Sequence, residues 1–334
     1  MARLDQINAR VGARRSRLMG PEGLRELLIC PTQAARLELL LHSGRLPALP
    51  GEADGDPLTV VEAMLHAGLR SDEALLLRDV EGARPRRLLS AALGLQDRQA
   101  LKALLRRTAA GAGSEQPTPI VAVSAASPER LPEEIVGAPS PEALAERLAA
   151  ARSPFAEPLR AALRERDRLG LLPAEVAIDR IAFSRVAGAV ERGEDGARLQ
   201  DWLATLADVR NATTLLAMGA ATPVLDLFVP GGTRMGADAF SRLAGASLDA
   251  RRAAVAALVP CPSDRLVEPS SAERLLESSA TRRLTLAARR APLSLAVPLA
   301  WIEARREEIH RIALVLRGAA LGLPGELILE LAEA

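Results

Sequence analysis

Three stretches of this chain repeat one helical pattern, and that repetition limits what the whole can fold into. They run from Asp97 to Arg107, from Asp208 to Met218 and from Glu307 to Arg317, at offsets of 111 and then 99 residues. A carboxylate opens each, and a pair of apolar residues, Leu104-Leu105, Leu215-Leu216 and Leu314-Val315, follows seven positions later. The offsets superpose Ala100 on Asn211 on His310, and Arg107 on Met218 on Arg317. Periods of this length exceed the 20 to 50 residues of solenoid repeats. Each copy is large enough for a small domain, and three copies imply a pseudo-threefold body suited to a function around an axis.

Composition gives the class of element. Ala, Leu, Arg and Glu dominate, Tyr is absent and aromatic residues make up 2% of the 334 positions, so strand-forming residues are scarce. The expectation is an all-α chain. Lys102 is the single lysine among 43 basic residues, and asparagine occurs only at Asn8 and Asn211. A GC-rich coding bias is the simpler account of so much arginine. Net charge is +1 with acids and bases interspersed, whereas phosphate binding needs an uncompensated basic surface and gains from stacking aromatics. Nucleic acid is therefore not expected as a partner.

Cys30 and Cys261 have neither CxxC spacing nor histidine company, so neither a zinc site nor a disulfide framework is indicated and a reduced, cytosolic compartment fits. Met1 to Arg17 lacks the apolar core of a signal peptide. The longest apolar run, Leu293 to Ile302, has ten residues with Pro298 inside it, against the roughly 20 needed to cross a bilayer. No direct membrane span is expected; any membrane association goes through a partner.

Punctuation divides the chain into three helical units, residues 1–113, 114–222 and 223–334. In the first, Leu4, Ile7, Val11 and Leu18 keep helical spacing, Gly20-Pro21-Glu22 restarts a helix, and two more are expected over about 58–79 and 84–108 before the Gly111-Ala112-Gly113 breaker. A Pro- and Ser-rich connection, 114–141, opens the second, with an N-cap signal at Ser127-Pro128-Glu129. Helices resume at Ser140-Pro141-Glu142, at Pro173-Ala174-Glu175 and near Gly196. There Leu199, Trp202, Leu206, Val209, Thr213 and Leu216 trace one face, with Asp201, Asp208 and Arg210 off it. The third unit follows Thr222-Pro223, breaks at Pro230-Gly231-Gly232 and Pro260-Cys261-Pro262, and closes with a helix over about 295–320, the Gly322–Glu326 turn and a short final helix.

Catalytic chemistry is sparse. His42, His66 and His310 have no HExxH spacing and no nearby cysteine, and His310 reads as a helix-surface or partly packed side chain. The Pro230–Gly236 segment is Gly-rich but lacks the GK[ST] that would cradle a phosphate, so it reads as a plain loop. Asn211-Ala212-Thr213 matches a glycosylation sequon in the middle of a helix and is discounted. Trp202 and Trp301 read as core anchors. The pairs Arg106-Arg107, Arg289-Arg290 and Arg305-Arg306 read as solvated helix faces, or else as partner contacts. No catalytic residue, cofactor or metal ligand is indicated.

Four segments occur in an order and spacing that mark a family: NARVGARRSRL from Asn8, AIDRIAFSRVAGAVERG from Ala177, WLATLADVRNATTLLAMG from Trp202 and WIEARREEIHRIALVLRGAALGLP from Trp301. Together they resemble the C subunit of prokaryotic A/V-type ATP synthases, the counterpart of the d subunit in eukaryotic V-ATPases, over nearly the whole chain. The resemblance implies a threefold helical funnel and a non-catalytic central-rotor part. Such a part receives the central shaft of the soluble head and sits on the membrane proteolipid rotor ring, coupling the two for proton or sodium transport. It implies a cytoplasmic protein, peripheral to the membrane, present once per complex and not a homo-oligomer. Phe183 stands nearly alone where the family carries more aromatics around IDRIAFSRV, the middle connection is Pro-rich and the third unit is short, which bears on the shaft contacts. Arg107, Arg210, Asn211, Arg306 and His310, on the polar side of the repeated helices, are the expected partner-binding residues toward the funnel lining.

Two other classes remain open on the residues alone. A generic all-helical cytosolic adaptor or scaffold would have no reason to repeat a unit three times. A helical-bundle enzyme would need a pocket with convergent titratable groups.

Overall fold

Proline and short polar side chains set where the helices begin. Thr32 and Ser140 accept backbone N–H bonds from Ala35 and Ala143, each at 3.1 Å, and Asp56 accepts from Leu58 at 3.3 Å, so orphan donors of three first turns are satisfied by the preceding side chain. Pro57 and Pro141 follow at the first helical position, where a missing N–H costs nothing. The computed structural model describes residues 4–47, 56–111, 135, 137–190, 193–218, 227–258 and 269–333. Among these there is no strand, and the chain is all-α.

The helices are α1 (Asp5–Arg15), α2 (Pro21–Ile29), α3 (Gln33–His42), α4 (Pro57–Asp79), α5 (Ala83–Gly94) and α6 (Asp97–Ala109). Then come α7 (Pro141–Ala150), α8 (Ala156–Leu163), α9 (Arg166–Leu169), α10 (Leu172–Ala189) and α11 (Glu194–Ala217). The last are α12 (Ala237–Ala244), α13 (Leu248–Leu258), α14 (Pro269–Arg290), α15 (Ala296–Ala320) and α16 (Gly325–Glu333). Breaks read at Ser127-Pro128-Glu129, Thr222-Pro223 and Pro260-Cys261-Pro262, and Cys261 itself, lie outside the described residues.

Two packing centres organise these elements. Helix α15 packs on α1, α2, α3, α4 and α5 and on α11, α14 and α16. Its apolar residues Trp301, Ile302, Ile309, Ile312, Val315 and Leu316 are all buried. Helix α11 packs on α10, α13, α14 and α15, and the sequence-predicted stripe Leu199, Trp202, Leu206, Val209, Thr213 and Leu216 is buried along its length. One continuous apolar cluster joins residues of all three sequence units, from Leu4 to Ile328.

The structure departs from the sequence reading in two places. The helix expected over 84–108 is two helices, because the chain turns at Leu95 and Gln96. That turn buries Leu95 and lets the Gln96 side chain donate to Glu303 of α15 at 3.1 Å. The second departure is on α11, where Asp208, Arg210 and Asn211 are buried like the apolar stripe. Residues 227–236 cover that side. Asn211 donates to the Val229 carbonyl and accepts from the Val229 N–H, both at 2.8 Å, and the Asp208 carboxylate accepts from the N–H groups of Thr233, Arg234 and Met235 at 3.0–3.1 Å. The Gly-rich segment is thus a fastened loop. A Cβ on Gly232 would collide with the Asp208 carboxylate, so glycine lets the backbone close on it. Arg251 of α13 finishes the arrangement by donating to the Leu215 and Met218 carbonyls at 2.8 and 2.7 Å, serving the end of α11, where carbonyls lack partners.

Asn211→Ala should leave the buried N–H and C=O of Val229 without partners. At about 1–3 kcal/mol per buried unsatisfied group, the urea midpoint should fall by the equivalent of roughly 3 kcal/mol. An unchanged midpoint would show that the loop is not held there.

Candidate interaction cleft

A buried carboxylate collects cations from two neighbouring helices. Asp179 of α10 is fully buried; its Oδ2 lies 2.5 Å from Lys102 Nζ of α6 and 2.8 Å from Arg210 Nε of α11, and its Oδ1 lies 3.8 Å from Arg98 Nε of α6. All three cations are at most 3% exposed. Two carboxylates of α14 complete the balance: Glu273 pairs with Arg210, and Glu277 lies 3.8 Å from Arg98 and accepts from Gln99 at 3.0 Å. Glu175, one turn before Asp179, holds Arg106 through both nitrogens at 2.6 and 2.7 Å. Four cations therefore meet four carboxylates where α6, α10, α11 and α14 converge.

Electrostatics follow from burial. Removal from water, reinforced by the neighbouring guanidiniums of Arg210 and Arg98, lowers the Lys102 ammonium to about 8 despite the attraction of Asp179. Burial works against the Asp179 carboxylate, but Lys102, Arg210 and Arg98 together hold it below its ordinary range. Burial raises Glu277, with Glu273 adding repulsion against the pull of Arg98.

A second network ties α15 to the first unit. Glu308 accepts from the Met19 N–H at 2.6 Å and from Arg45 Nε at 3.1 Å, and pairs with Arg305. Arg14 bonds Asp72 at 2.5 Å, and Arg306 joins Glu303 of its own helix to Glu73 of α4. Arg305 and Arg306 are thus internal ties, not the solvated face expected of them. Arg106 is paired with Glu175 but remains exposed, as do Arg289 and Arg290.

Between the two networks lies an open cleft of about 400 Å³. Helix α14 contributes Glu273, Glu277, Ser278 and Thr281, α15 contributes Glu303, Arg306, Glu307 and His310, α11 contributes Trp202 and Leu206, and Arg98 and Gln99 of α6 close one side. Trp202 is therefore a buried anchor that also faces the cleft. Of the five residues singled out in the sequence, Arg306 and His310 line it. Arg210 stands behind the wall in the ion network, Asn211 is occupied by Val229, and Arg107 is half-buried on α6 away from the cleft. The polar side assigned to α11 at Arg210 and Asn211 is thus interior, because the 227–236 loop and α14 cover it. Sequence reasoning missed Glu273 and Glu277, whose helix carries few large apolar residues at its start, and Asp179, whose partners are 31 and 77 positions away.

The repeated segments all fall in helices, α6, α11 and α15, but their equivalent positions differ in surroundings: Ala100 and Asn211 are buried where His310 is exposed. Among the described residues, no cluster of three or more His, Cys, Asp or Glu side chains could hold a metal ion, and no helix is long and apolar enough to cross a membrane.

A family model described as ATP synthase (C/AC39) subunit matches residues 7–331, nearly the whole chain. The chain belongs to the ATP synthase (C/AC39) subunit family. No curated protein sequence matches it. As a C/AC39 subunit it is a component of a rotary ATPase, and the cleft between α11, α14 and α15 belongs to a subunit of that assembly.

The ion network of this C/AC39 subunit should show in its pH dependence. Folded Lys102 holds its proton only to about pH 8, whereas the unfolded chain holds it to the ordinary 10.5. Between those values the unfolded state binds more protons, so stability should rise with pH through that window. Lys102→Met should flatten the rise in urea unfolding measured from pH 7.5 upward. Asp179→Asn strips the shared carboxylate from buried cations and should cost about 3–5 kcal/mol at neutral pH.

Proposed function

We propose that this chain is the non-catalytic central-rotor subunit of its ATPase, seating the central shaft of the soluble head in the α11/α14/α15 cleft and resting on the membrane proteolipid ring, for proton or sodium transport. The observation that carries this reading is an open, polar cleft beside the three longest helices of the C-terminal half, backed by buried ion pairs that knit four helices. A coupler must pass torque between two partners without yielding. Paired buried charges resist the shear that a purely apolar helix interface allows, because sliding one helix would leave a buried charge unpaired.

In this reading the three units, 1–113, 114–222 and 223–334, stand as a pseudo-threefold funnel around the cleft, with one copy on the rotation axis of each complex and the protein peripheral to the membrane on the cytoplasmic side. Arg306 and His310 are the partner-binding residues that face the shaft, and Arg210 stiffens the wall behind them. For the ring, the favoured surface is the far end of α15. Leu321, Leu323 and Leu327 are exposed there, and Ile29 ends α2, against which α16 packs. That end begins 11 residues beyond His310, about 16 Å along the helix.

Glu277 gives the helical-bundle enzyme its one supporting feature, a carboxylate raised by burial in a cleft. Its contacts with Gln99 and Arg98 tie it into the ion network, and family membership favours the coupler.

The test is binding of purified central-shaft subunits to the full chain. The unaltered protein should bind, and Ser278→Trp with Thr281→Trp, which fill the cleft from α14, should weaken binding at least ten-fold while leaving thermal unfolding in place. Binding that survives both bulky residues, or an unaltered chain that binds no shaft subunit, would remove the cleft as the seat.

A further inference from the structure

Helix α14 buries one stripe and leaves the opposite one bare. Ala272, Leu276, Ala280, Leu284 and Ala288 recur every fourth residue on the buried side. At 100° per residue, Ser278, Arg282, Thr285, Leu286 and Arg289 fall opposite. They form one wall of a second groove of about 550 Å³. The other walls are the elbow between α1 and α2, with Arg15, Leu18 and Met19, and the side of α15 that carries Glu307, Glu308 and Arg311. This groove shares Ser278, Thr281 and Glu307 with the cleft, so the two are continuous.

Charge separates the two halves. Inside the cleft the carboxylates are answered within the molecule, Glu273 by Arg210, Glu277 by Arg98 and Gln99, and Glu303 by Arg306 and Gln96. In the groove, Glu308 is consumed by Met19, Arg45 and Arg305, and Glu307 pairs with Arg311 at 3.0 Å. Arg15, Arg282 and Arg289 have no carboxylate within ion-pairing distance among the described residues. Between Arg282 and Arg289, Leu286 is 49% exposed. Three arginines without a carboxylate partner among the described residues, set around an exposed leucine, give the groove an uncompensated basic surface.

We propose that this groove docks an acidic amphipathic helical segment of the subunit that enters the cleft, with its carboxylates on Arg15, Arg282 and Arg289 and an apolar side chain on Leu286 and Leu18. The inference rests on the proposed seating of the shaft and adds the chemistry of the occupant. Ser278 to Arg289 spans about 16 Å, three turns of a helix lying alongside. Arg282 and Arg289 stand seven residues, about two turns, apart on α14, which fits carboxylates displayed two turns apart on a helix alongside, with Arg15 facing them from α1. A segment carrying polar residues at its tip and acidic ones on its flank would match both halves, and reversing it would leave the groove's arginines unanswered. The charge pattern thereby fixes depth and direction of insertion.

The experiment measures association of the full chain with purified central-shaft subunits, comparing the unaltered protein with Arg282→Glu/Arg289→Glu and with the milder Arg282→Gln/Arg289→Gln. Both residues are exposed and have no carboxylate partner among the described residues, so both variants should keep the parental melting temperature; if the Glu pair does not, the Gln pair carries the comparison. At about 50 mM salt the Glu pair should weaken binding at least ten-fold, mostly by slowing association, and the difference should shrink toward about 0.5 M salt as screening shortens the range of the charges. A photo-crosslinker at Leu286 should attach to an Asp/Glu-rich stretch of the shaft. If the unaltered chain binds and the variants bind equally well, or the crosslinker attaches to lipid or to a basic stretch, the docking inference falls and the seating in the cleft stands. If the unaltered chain binds no shaft subunit, both fall together.

Discussion

The carboxylate of Asp179 is the point on which the helical arrangement depends. Stripped of water, it is tolerable only because an ammonium and two guanidiniums surround it, and those cations come from α6 and α11. Each cation is in turn buried and would be intolerable without its carboxylates, which draws in α14 through Glu273 and Glu277. Apolar packing alone leaves some freedom, since hydrophobic side chains of similar volume replace one another at little cost. Ion pairs at fixed positions do not permit that freedom, because the alternative to each pair is an uncompensated buried charge. The cleft between α11, α14 and α15 is therefore a void with fixed walls.

The same reasoning explains how the surface divides. Charges that serve the scaffold are paired within it: Arg305 and Arg306 with Glu308, Glu303 and Glu73, and Arg106 with Glu175. Subtracting these leaves, among the described residues, a short remainder of unmatched groups beside the cleft, which joins the cleft-lining Arg306 and His310 in carrying information about a partner. A tally of arginines, of which the chain has many, would have hidden it, since most arginines near the cleft are answered by carboxylates of the same molecule.

What the sequence revealed, and what it did not, follows the range of the interactions. Helix class, the apolar stripe of α11 and the starts at Pro21 and Pro141 depend on neighbours within a turn or two, and they were legible. The break at Leu95 was not, because its reason, the contact of Gln96 with Glu303, lies 207 residues away. Arg210 and Asn211 looked like a polar face for the same reason: nothing local announces that the loop carrying Val229 and the helix carrying Glu273 will cover them. Among the expected site residues, His310 and Arg306 reached the cleft because they belong to α15, whose outer face follows from its own periodicity.

Lys102 shows how composition and site chemistry can be separated. A coding bias accounts for arginine in preference to lysine across the chain, and it predicts nothing about where the exception should stand. The one lysine stands at a crowded charged position, fully buried, with Arg98 and Arg210 sharing its carboxylate. A guanidinium there would bring a broad planar fork into a space already holding two, and it could not shed its charge. An ammonium is compact, reaches Asp179 end-on, and can release a proton when its surroundings become too cationic, which is the direction in which burial and the two arginines push it. The physical demands of three cations around one buried carboxylate thus select the residue that the rest of the sequence avoids.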